Sequence, residues 1–166
     1  CPGLNAVLRS LTLTLHEHSG PQVLGLCDSY FGLLDEPARF IELTPDLVWE
    51  ILNDGGTILG TANSGDPFSW EGQDRSGDVL QRFDDLNIEG LISIGGDGST
   101  KIAAALMRAG LPVIAVPKTI DNDVEGTDVT FGFESAMRCA TDALDRLCTT
   151  GESHRRVMVL ETMGRD

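Results

Sequence analysis

Short apolar runs alternate along this chain with longer segments in which apolar residues recur every three or four positions. The short runs predict buried strands, and the longer spacing predicts amphipathic helices. Five strands are predicted, at 22–27, 57–59, 91–94, 113–116 and 156–161. Strands that alternate with helices are typical of a mainly parallel sheet with helices on both faces. We therefore expect a three-layer, doubly wound α/β fold with all five strands in one sheet.

The helical segments lie between these strands and have recognisable ends. They are predicted at 4–18, 44–52, 77–88, 100–109 and 132–149. Gly20-Pro21 should end the first helix, while Thr44 should cap the second, with Pro45 at its first position. Residues 30–34 are predicted to form a loop. The polar stretch 63–77 is predicted to be a mobile loop near a ligand.

Composition and charge limit the possible partners. The 166 residues carry 12 basic and 26 acidic side chains, a net charge of −14. Such a charge argues against binding nucleic acid or an anionic membrane. No apolar run is long enough to span a bilayer. The four cysteines form no C-x-x-C pair and have no zinc spacing, which favours a reducing, cytoplasmic location.

A glycine-rich turn after the third predicted strand is the first candidate site. The strand ends at Gly95-Gly96-Asp97-Gly98-Ser99, and a helix is predicted from Thr100. Glycines let main-chain N–H groups approach an anion, and a helix N-terminus favours negative charge. We expect Gly96, Gly98 and Ser99 to lie along bound phosphates. The Asp97 carboxylate would repel a phosphate without a cation between them, so the turn favours phosphate with Mg²⁺. The alternative is a tight turn in which Ser99 only caps the helix.

A second polar loop follows the fourth predicted strand. It carries a cation, a hydroxyl and two carboxylates: Lys118, Thr119, Asp121 and Asp123. Ligands bind at the carboxyl ends of strands in open α/β sheets, which is where both loops are expected. Phosphoryl transfer needs a base, a cation and a metal-holding carboxylate, roles that Asp121, Lys118 and Asp97 would fill. The alternative is an acidic surface turn capped by its own side chains.

Four stretches, in this order, resemble the 6-phosphofructokinase family. They are Cys1–Ala6, Gly95–Thr100, Pro117–Asp123 and Met163–Arg165, and Gly55–Thr61 also fits. The Gly-Gly-Asp-Gly stretch alone is similar to NAD kinases and diacylglycerol kinases as well. The second loop and Met163–Arg165 fit phosphofructokinase better, and the resemblance extends over essentially the whole chain.

The resemblance implies a glycolytic enzyme that moves a phosphoryl group from Mg-ATP to the 1-hydroxyl of fructose 6-phosphate. Asp121 would take the proton of that hydroxyl, while Asp97 would be linked to Mg²⁺. The other residues implied in substrate binding are Thr119, Asp123, Arg156, Met163, Gly164 and Arg165. Arg156 would reach the sugar phosphate of a neighbouring subunit in a homo-oligomer. Family members are also allosteric.

The resemblance leaves the phosphoryl donor open. Gly98 leaves room for ATP, whereas pyrophosphate-dependent relatives commonly carry Asp there. Lys118 is typical of pyrophosphate enzymes but also occurs with ATP, so ATP is favoured and pyrophosphate is the alternative. Asn63 stands where the family often has an arginine that bridges the substrates, and Arg75 is a candidate substitute. A non-catalytic nucleotide-binding or regulatory module is the alternative from another functional class.

The resemblance also implies an extent for the domain. The chain begins with Cys1 within what resembles a phosphate loop, and it ends just after Met163–Arg165. We expect residues 1–166 to be most of an N-terminal nucleotide- and phosphate-binding domain, with a C-terminal domain outside the sequence. On that expectation the isolated 166 residues should be nearly inactive.

Overall fold

The computed structural model describes residues 1–18, 20 and 22–165, which form helices and short strands. In chain order they are α1 (Leu4–Glu17), β1 (Leu24–Leu26), α2 (Tyr30–Leu34), β2 (Phe40–Glu42), α3 (Pro45–Val48), α4 (Ser76–Asp85), β3 (Leu91–Gly95), α5 (Asp97–Arg108), β4 (Val113–Pro117) and α6 (Phe133–His154). Two 3₁₀ helices occupy Ile51–Asn53 and Pro67–Ser69. The predicted α/β class is confirmed.

The strands form two small sheets, so the prediction of one five-stranded sheet is wrong. Within the described residues, β1 pairs with β2 antiparallel, and β3 pairs with β4 parallel. A cavity of about 890 Å³ lies between the two sheets, lined largely by apolar side chains of α1, β1 and β3. The β3–α5–β4 unit is the parallel crossover that the alternating pattern predicts.

Two predicted strands are absent from the described structure because local contacts hold their backbones differently. At 57–59 the chain turns, since Asn5 Oδ1 accepts the Ile58 N–H at 3.0 Å. At 156–161 the chain leaves α6 through a bond from Arg156 N–H to the Gly151 carbonyl at 2.9 Å. It then continues along α6 without a strand partner, with Val157 93% and Val159 88% exposed. Apolar alternation therefore marks a strand candidate but does not supply the neighbour that it pairs with.

The second predicted helix is partly correct. Thr44 caps α3 by accepting the Leu47 N–H at 3.3 Å, with Pro45 at the first position, as predicted. The helix ends at Val48, however, and a 3₁₀ turn follows. Residues Tyr30–Leu34 form α2 instead of the predicted loop, because Leu33 is fully buried and its neighbours pack in the core. Pro21, which was predicted to help end α1, lies outside the residues that the structure describes.

Two apolar clusters hold these elements together. The larger joins α2, α4 and α5 through Leu33, Val79, Phe83 and Leu106. The smaller packs α1 against α3 and the following 3₁₀ turn. Because Leu106 has no exposed surface, α5 is fixed on the core, and its N-terminus is held at the end of β3. In the part of the chain that the structure describes, none of the helices has the length and hydropathy needed to cross a bilayer.

Candidate functional site

The two predicted loops meet at the carboxyl ends of β3 and β4. Gly95 is the register partner of Pro117, and the Lys118 N–H donates to the Gly95 carbonyl at 2.8 Å. A Cβ added at Gly96 would lie 3.6 Å from the Thr119 Cβ. The predicted contact between the glycine turn and the second loop is therefore confirmed.

The glycine turn leads directly into α5. The helix begins at Asp97, three residues earlier than predicted, with Gly96 as its N-cap and Thr100 Oγ1 donating to the Gly96 carbonyl at 3.0 Å. Ser99 therefore lies in the first turn and is not the cap. Gly95 has no room for a side chain, because a Cβ there would lie 2.3 Å from Ser99 Oγ. Gly98 faces open space, and the first N–H groups of a helix lack helical partners, so this turn suits an anion.

Asp97 is held by a lysine on its own helix. Lys101 Nζ lies 2.7 Å from Asp97 Oδ2, and the two side chains are 75% and 40% exposed. No cluster of three His, Cys, Asp or Glu able to hold a metal occurs among the described residues. A single reachable carboxylate does fit Mg²⁺, which proteins often bind through one or two carboxylates and substrate phosphates. The donor set is therefore compatible with Mg²⁺ that arrives with a phosphate ligand.

The Asp121 carboxylate is oriented from two directions. Thr119 Oγ1 donates to Asp121 Oδ2 at 3.2 Å and also accepts the Asp121 N–H at 3.1 Å. The Arg165 N–H, 44 residues later in the chain, donates to Asp121 Oδ1 at 2.9 Å. Each carboxylate oxygen has a further lone pair, so Asp121 keeps the capacity to accept a proton from a ligand.

The end of the chain contributes to the same site. The Arg165 side chain pairs with Asp123, with Nη1 3.1 Å from Oδ2. A Cβ on Gly164 would lie 3.9 Å from Asp121 Oδ1, and Met163 is exposed beside it. Met163–Arg165 and the second loop, predicted as parts of one site from separate stretches of sequence, thus lie together.

Lys118 is half-buried between the loops. Burial lowers the pKa of its ammonium, because desolvation disfavours the charged form, and the nearby Asp121 carboxylate partly opposes that shift. An anion bound beside Lys118 would favour the charged form again. The lysine is therefore suited to respond to a phosphate at this edge of the sheet.

Two residues that the sequence did not single out support the second loop. Thr130 is buried, and its hydroxyl donates to the Thr119 carbonyl at 2.9 Å. The Thr130 N–H donates to Asn122 Oδ1 at 2.9 Å. Asn122 has φ 53°, a left-handed conformation that asparagine tolerates better than most residues. The position of Asn in a turn was the available signal, whereas nothing local pointed to Thr130.

The N-terminal stretch that resembles a phosphate loop lies beside this cluster. Phe131 pairs with Lys118 in a parallel bridge. Gly132, at φ +100°, has no room for a side chain, since a Cβ would lie 2.5 Å from the Pro2 carbonyl oxygen. A third loop, around Pro2 and Gly3, therefore borders the loop that carries Asp121.

Two predicted or candidate residues, Arg156 and Arg75, have no contact with this cluster among the described residues. Arg156 follows the C-terminal end of α6, whose 22 residues span about 33 Å at 1.5 Å per residue, while the start of α6 adjoins the site. Arg75 lies over the Trp70 ring at 5.8 Å and pairs with Asp78 at 2.7 Å. In the described part of the chain, no hydrogen bond or ion pair joins Arg75, the candidate substitute for the arginine absent at Asn63, to the two loops, and Asn63 is exposed.

Comparison with known proteins decides the family. The sequence profile described as Phosphofructokinase matches residues 1–166. The chain belongs to the phosphofructokinase family. Among phosphofructokinases it is 50% identical over 165 residues to "ATP-dependent 6-phosphofructokinase 2" of Streptomyces coelicolor, and 49% identical over 166 residues to "ATP-dependent 6-phosphofructokinase" of Corynebacterium efficiens. These matches cover 99% of this chain but 47% and 46% of the relatives, so the chain spans about half their length.

Solved phosphofructokinases share the fold. The enzyme from Saccharomyces cerevisiae matches with a TM-score of 0.75 at 26% identity, over 92% of this chain and 23% of the other. The Pichia pastoris enzyme in the T-state matches with a TM-score of 0.76 at 26% identity, over 87% and 17%. The two loops at the end of β3 and β4 thus belong to a phosphofructokinase domain.

Proposed function

We propose that this chain carries phosphoryl-transfer residues of an ATP-dependent 6-phosphofructokinase. The reaction would move the terminal phosphoryl group of Mg-ATP to the 1-hydroxyl of fructose 6-phosphate. The observation that carries the proposal is the junction of the glycine turn with the second loop, fastened by the 2.8 Å bond from Lys118 N–H to the Gly95 carbonyl. The junction brings the glycine turn, Lys118 and the oriented Asp121 carboxylate to one edge of the sheet, and phosphoryl transfer needs groups of these kinds.

Asp121 is the proposed general base. Its carboxylate is held by the Thr119 hydroxyl and the Arg165 N–H, so its orientation is set before substrate binds. As the O–P bond forms, the proton of the 1-hydroxyl moves to Asp121, and the bond to the leaving nucleoside diphosphate breaks. A base placed within hydrogen-bond reach of the attacking hydroxyl contributes a large part of such a rate enhancement.

The donor phosphates would lie between the α5 N-terminus and Lys118. Gly96, Gly98 and Ser99 would contribute main-chain N–H groups, and Lys118 a positive charge, to stabilise charge on the transferred group. Asp97 would hold Mg²⁺, which supplies further neutralisation of phosphate charge when bound. The chain's net charge of −14 makes these local cations necessary for binding a polyanion.

The acceptor would bind at Met163–Arg165. Arg165 pairs with Asp123, and their side chains are 72% and 28% exposed. Because water reaches the guanidinium, the pair is weak enough to be exchanged for a phosphate. Thr119 and Asp123 would contact the sugar. We propose that Arg156, at the far end of α6, serves the site of a neighbouring subunit in a homo-oligomer. A cytoplasmic location remains a prediction.

ATP is the proposed donor, with pyrophosphate as the second candidate. Both named relatives are ATP-dependent, and the open space at Gly98 accommodates a larger donor. Lys118 is the observation that favours pyrophosphate, because a compact ammonium suits a small, densely charged anion.

Steady-state assays of the whole protein test the proposal. Fructose 6-phosphate is supplied with Mg-ATP or with Mg-pyrophosphate, and fructose 1,6-bisphosphate is measured. We expect turnover with ATP. Turnover with pyrophosphate alone would reverse the donor assignment, and nucleotide binding without turnover on either donor would support the non-catalytic alternative.

A further inference from the structure

We propose that Lys101 is a nucleotide-binding residue, which pairs with Asp97 in the free protein and with a phosphate oxygen of the nucleotide in the complex. This inference rests on the proposed function, because it assigns a residue to the same donor site. Lys101 lies outside the glycine turn and was not among the residues predicted from sequence motifs.

The first observation is the distribution of lysine. The sequence has two lysines, Lys101 and Lys118, and its other ten cationic residues are arginines. Lys118 lies in the second loop. Lys101 lies four residues after Asp97, in the helix that follows the glycine turn. Arginines are spread along the chain, while both lysines adjoin the same sheet edge. A compact ammonium on a flexible stem is suited to a phosphate that must be bound and released.

The second observation is the direction of the Lys101 side chain. Its ammonium lies 2.7 Å from Asp97 Oδ2, and Asp97 is the first residue of α5. The positive charge is therefore drawn toward the helix N-terminus, where the macrodipole disfavours a cation unless an anion compensates. In the free protein Asp97 is that anion. A phosphate bound by the same turn provides a stronger one.

The third observation is that the exchange is easy. The Lys101 and Asp97 side chains are 75% and 40% exposed, so water can solvate both charges when the pair separates. An exposed ion pair four residues apart on a helix is weak, because water screens the two charges. A Cβ on Gly98, one residue from Asp97, would meet nothing within 4 Å apart from its chain neighbours and its own helix backbone. The space beside the first turn of α5 is therefore open.

The chemistry of Asp97 supports the exchange of partners. The Lys101 ammonium bonds to Oδ2 of Asp97. If the ammonium moves to a nucleotide phosphate, both carboxylate oxygens of Asp97 are free for a hard cation.

A labelling experiment on the whole protein tests this without measuring catalysis. The protein is acetylated with an N-hydroxysuccinimide ester, with and without the non-hydrolysable analogue Mg-AMP-PNP, and is then cleaved after arginine. Lys101 falls in the peptide 83–108 and Lys118 in the peptide 109–138, so mass spectrometry reports each lysine separately. We expect AMP-PNP to slow acetylation of Lys101 by about tenfold, and adenosine, which has no phosphate, to leave it unchanged.

Affinity measurements complete the test. We expect Lys101→Met to weaken Mg-AMP-PNP binding in calorimetry by about tenfold, the effect of one charge-assisted hydrogen bond. Lys101→Arg should restore most of the affinity, because it keeps a donor and a charge. The matched control is Arg108→Met on the exposed last turn of the same helix. It removes the same charge away from the turn and should leave affinity within about twofold.

The outcomes separate this inference from the proposed function. Protection of Lys118 without protection of Lys101, together with unchanged affinity in Lys101→Met, overturns the role of Lys101 and leaves the donor site in place. If the unsubstituted protein binds no AMP-PNP and neither lysine is protected, the proposed nucleotide site itself is wrong. If Lys101→Met lowers the melting temperature as well as the affinity, the affinity of Lys101→Gln is measured at a temperature well below both unfolding transitions. A loss of affinity that persists there reflects binding, and full affinity there means that the loss came from helix stability.

Discussion

At the scale of single residues, the proposed base Asp121 is oriented by groups of other residues. Asp121 receives one hydrogen bond on each carboxylate oxygen, from the Thr119 hydroxyl and the Arg165 N–H. Neither donor is charged, so neither one neutralises the carboxylate as an ion pair would. The chain therefore fixes the geometry of the proposed base while leaving it able to take a proton.

Replacing Asp121 tests that arrangement directly. We expect Asp121→Ser to lower kcat by about 10²–10⁴-fold, the usual loss when a general base is removed. KM for fructose 6-phosphate should change less, because Thr119 and Arg165 remain. The control is Glu89→Ser, an exposed carboxylate just before β3 and so at the opposite end of the strand. Unchanged kcat in Asp121→Ser would remove this residue from the chemistry.

A substitution at Gly98 should weaken nucleotide binding without lowering the stability of the protein. The position is open, so Gly98→Asp should fold normally. A carboxylate in the first turn of α5 also favours the helix by about 0.3–1 kcal/mol. The same charge repels the donor, so we expect at least about tenfold weaker ATP binding with an unchanged or higher melting temperature. Calorimetry and thermal unfolding measure the two, and a loss of both would mean that the side chain is not tolerated.

At the scale of elements, the turn before α6 connects two loops of the site. Gly132 has φ +100°, and a Cβ there would lie 2.5 Å from the Pro2 carbonyl oxygen. The residue before it pairs with Lys118. A substitution at Gly132 therefore disturbs the N-terminal loop and the second loop together.

A comparison of Gly132→Ala with Gly126→Ala separates the cost of a steric clash from the cost of backbone strain. Gly126 also has a positive φ, +83°, but a side chain there would meet no atom within 4 Å. We expect Gly126→Ala to cost about 1 kcal/mol for backbone strain, and Gly132→Ala to cost at least about 2 kcal/mol because a clash is added. Denaturant unfolding measures both. Equal losses would contradict the contact with Pro2.

The elements also divide into those that the sequence could predict and those that it could not. The strands at β3 and β4 were predicted because each apolar run ends in a glycine or proline that stops it, and the site loops followed from those stops. The short α2 and β2 were missed, since five and three residues are too few for a periodicity to develop. Segment 156–161 has the alternation of a strand, but strand formation depends on a neighbour in space. Thr130 was missed for the same reason, because its partners are set by tertiary contact.

At the scale of the whole molecule, Tyr30 links stability to pH. It is the single tyrosine of the sequence and is buried in the larger core. Burial, with a smaller contribution from the Asp66 charge, raises the pKa of its phenol to about 12, and a hydrogen bond with Ser93 partly opposes the shift. The folded state thus favours the protonated phenol more than the unfolded state does.

The sign of the pH effect follows from that difference. Because the folded pKa is raised, the contribution of Tyr30 is fully present below pH 10. It is lost as pH rises from 10 to about 12. We expect the free energy of unfolding to fall across this window by roughly 2–3 kcal/mol more than in Tyr30→Phe. Urea unfolding at several pH values checks this, with phenolate absorbance as a direct titration. Parallel curves for the two proteins would show that Tyr30 is ionised as easily in the folded state as in water.

Arg165 contacts a part of the chain that lies more than 40 residues earlier in the sequence. Its main-chain N–H reaches Asp121 and its guanidinium reaches Asp123, 44 and 42 residues earlier, so all of α6 lies within a loop whose ends meet at the proposed base. The entropic cost of closing such a loop depends only weakly on its length, and few side chains of α6 are buried to share in holding it. If the guanidinium bound a phosphate in place of Asp123, as proposed, the main-chain bond from Arg165 to Asp121 would be the remaining one of these two contacts at the end of the loop.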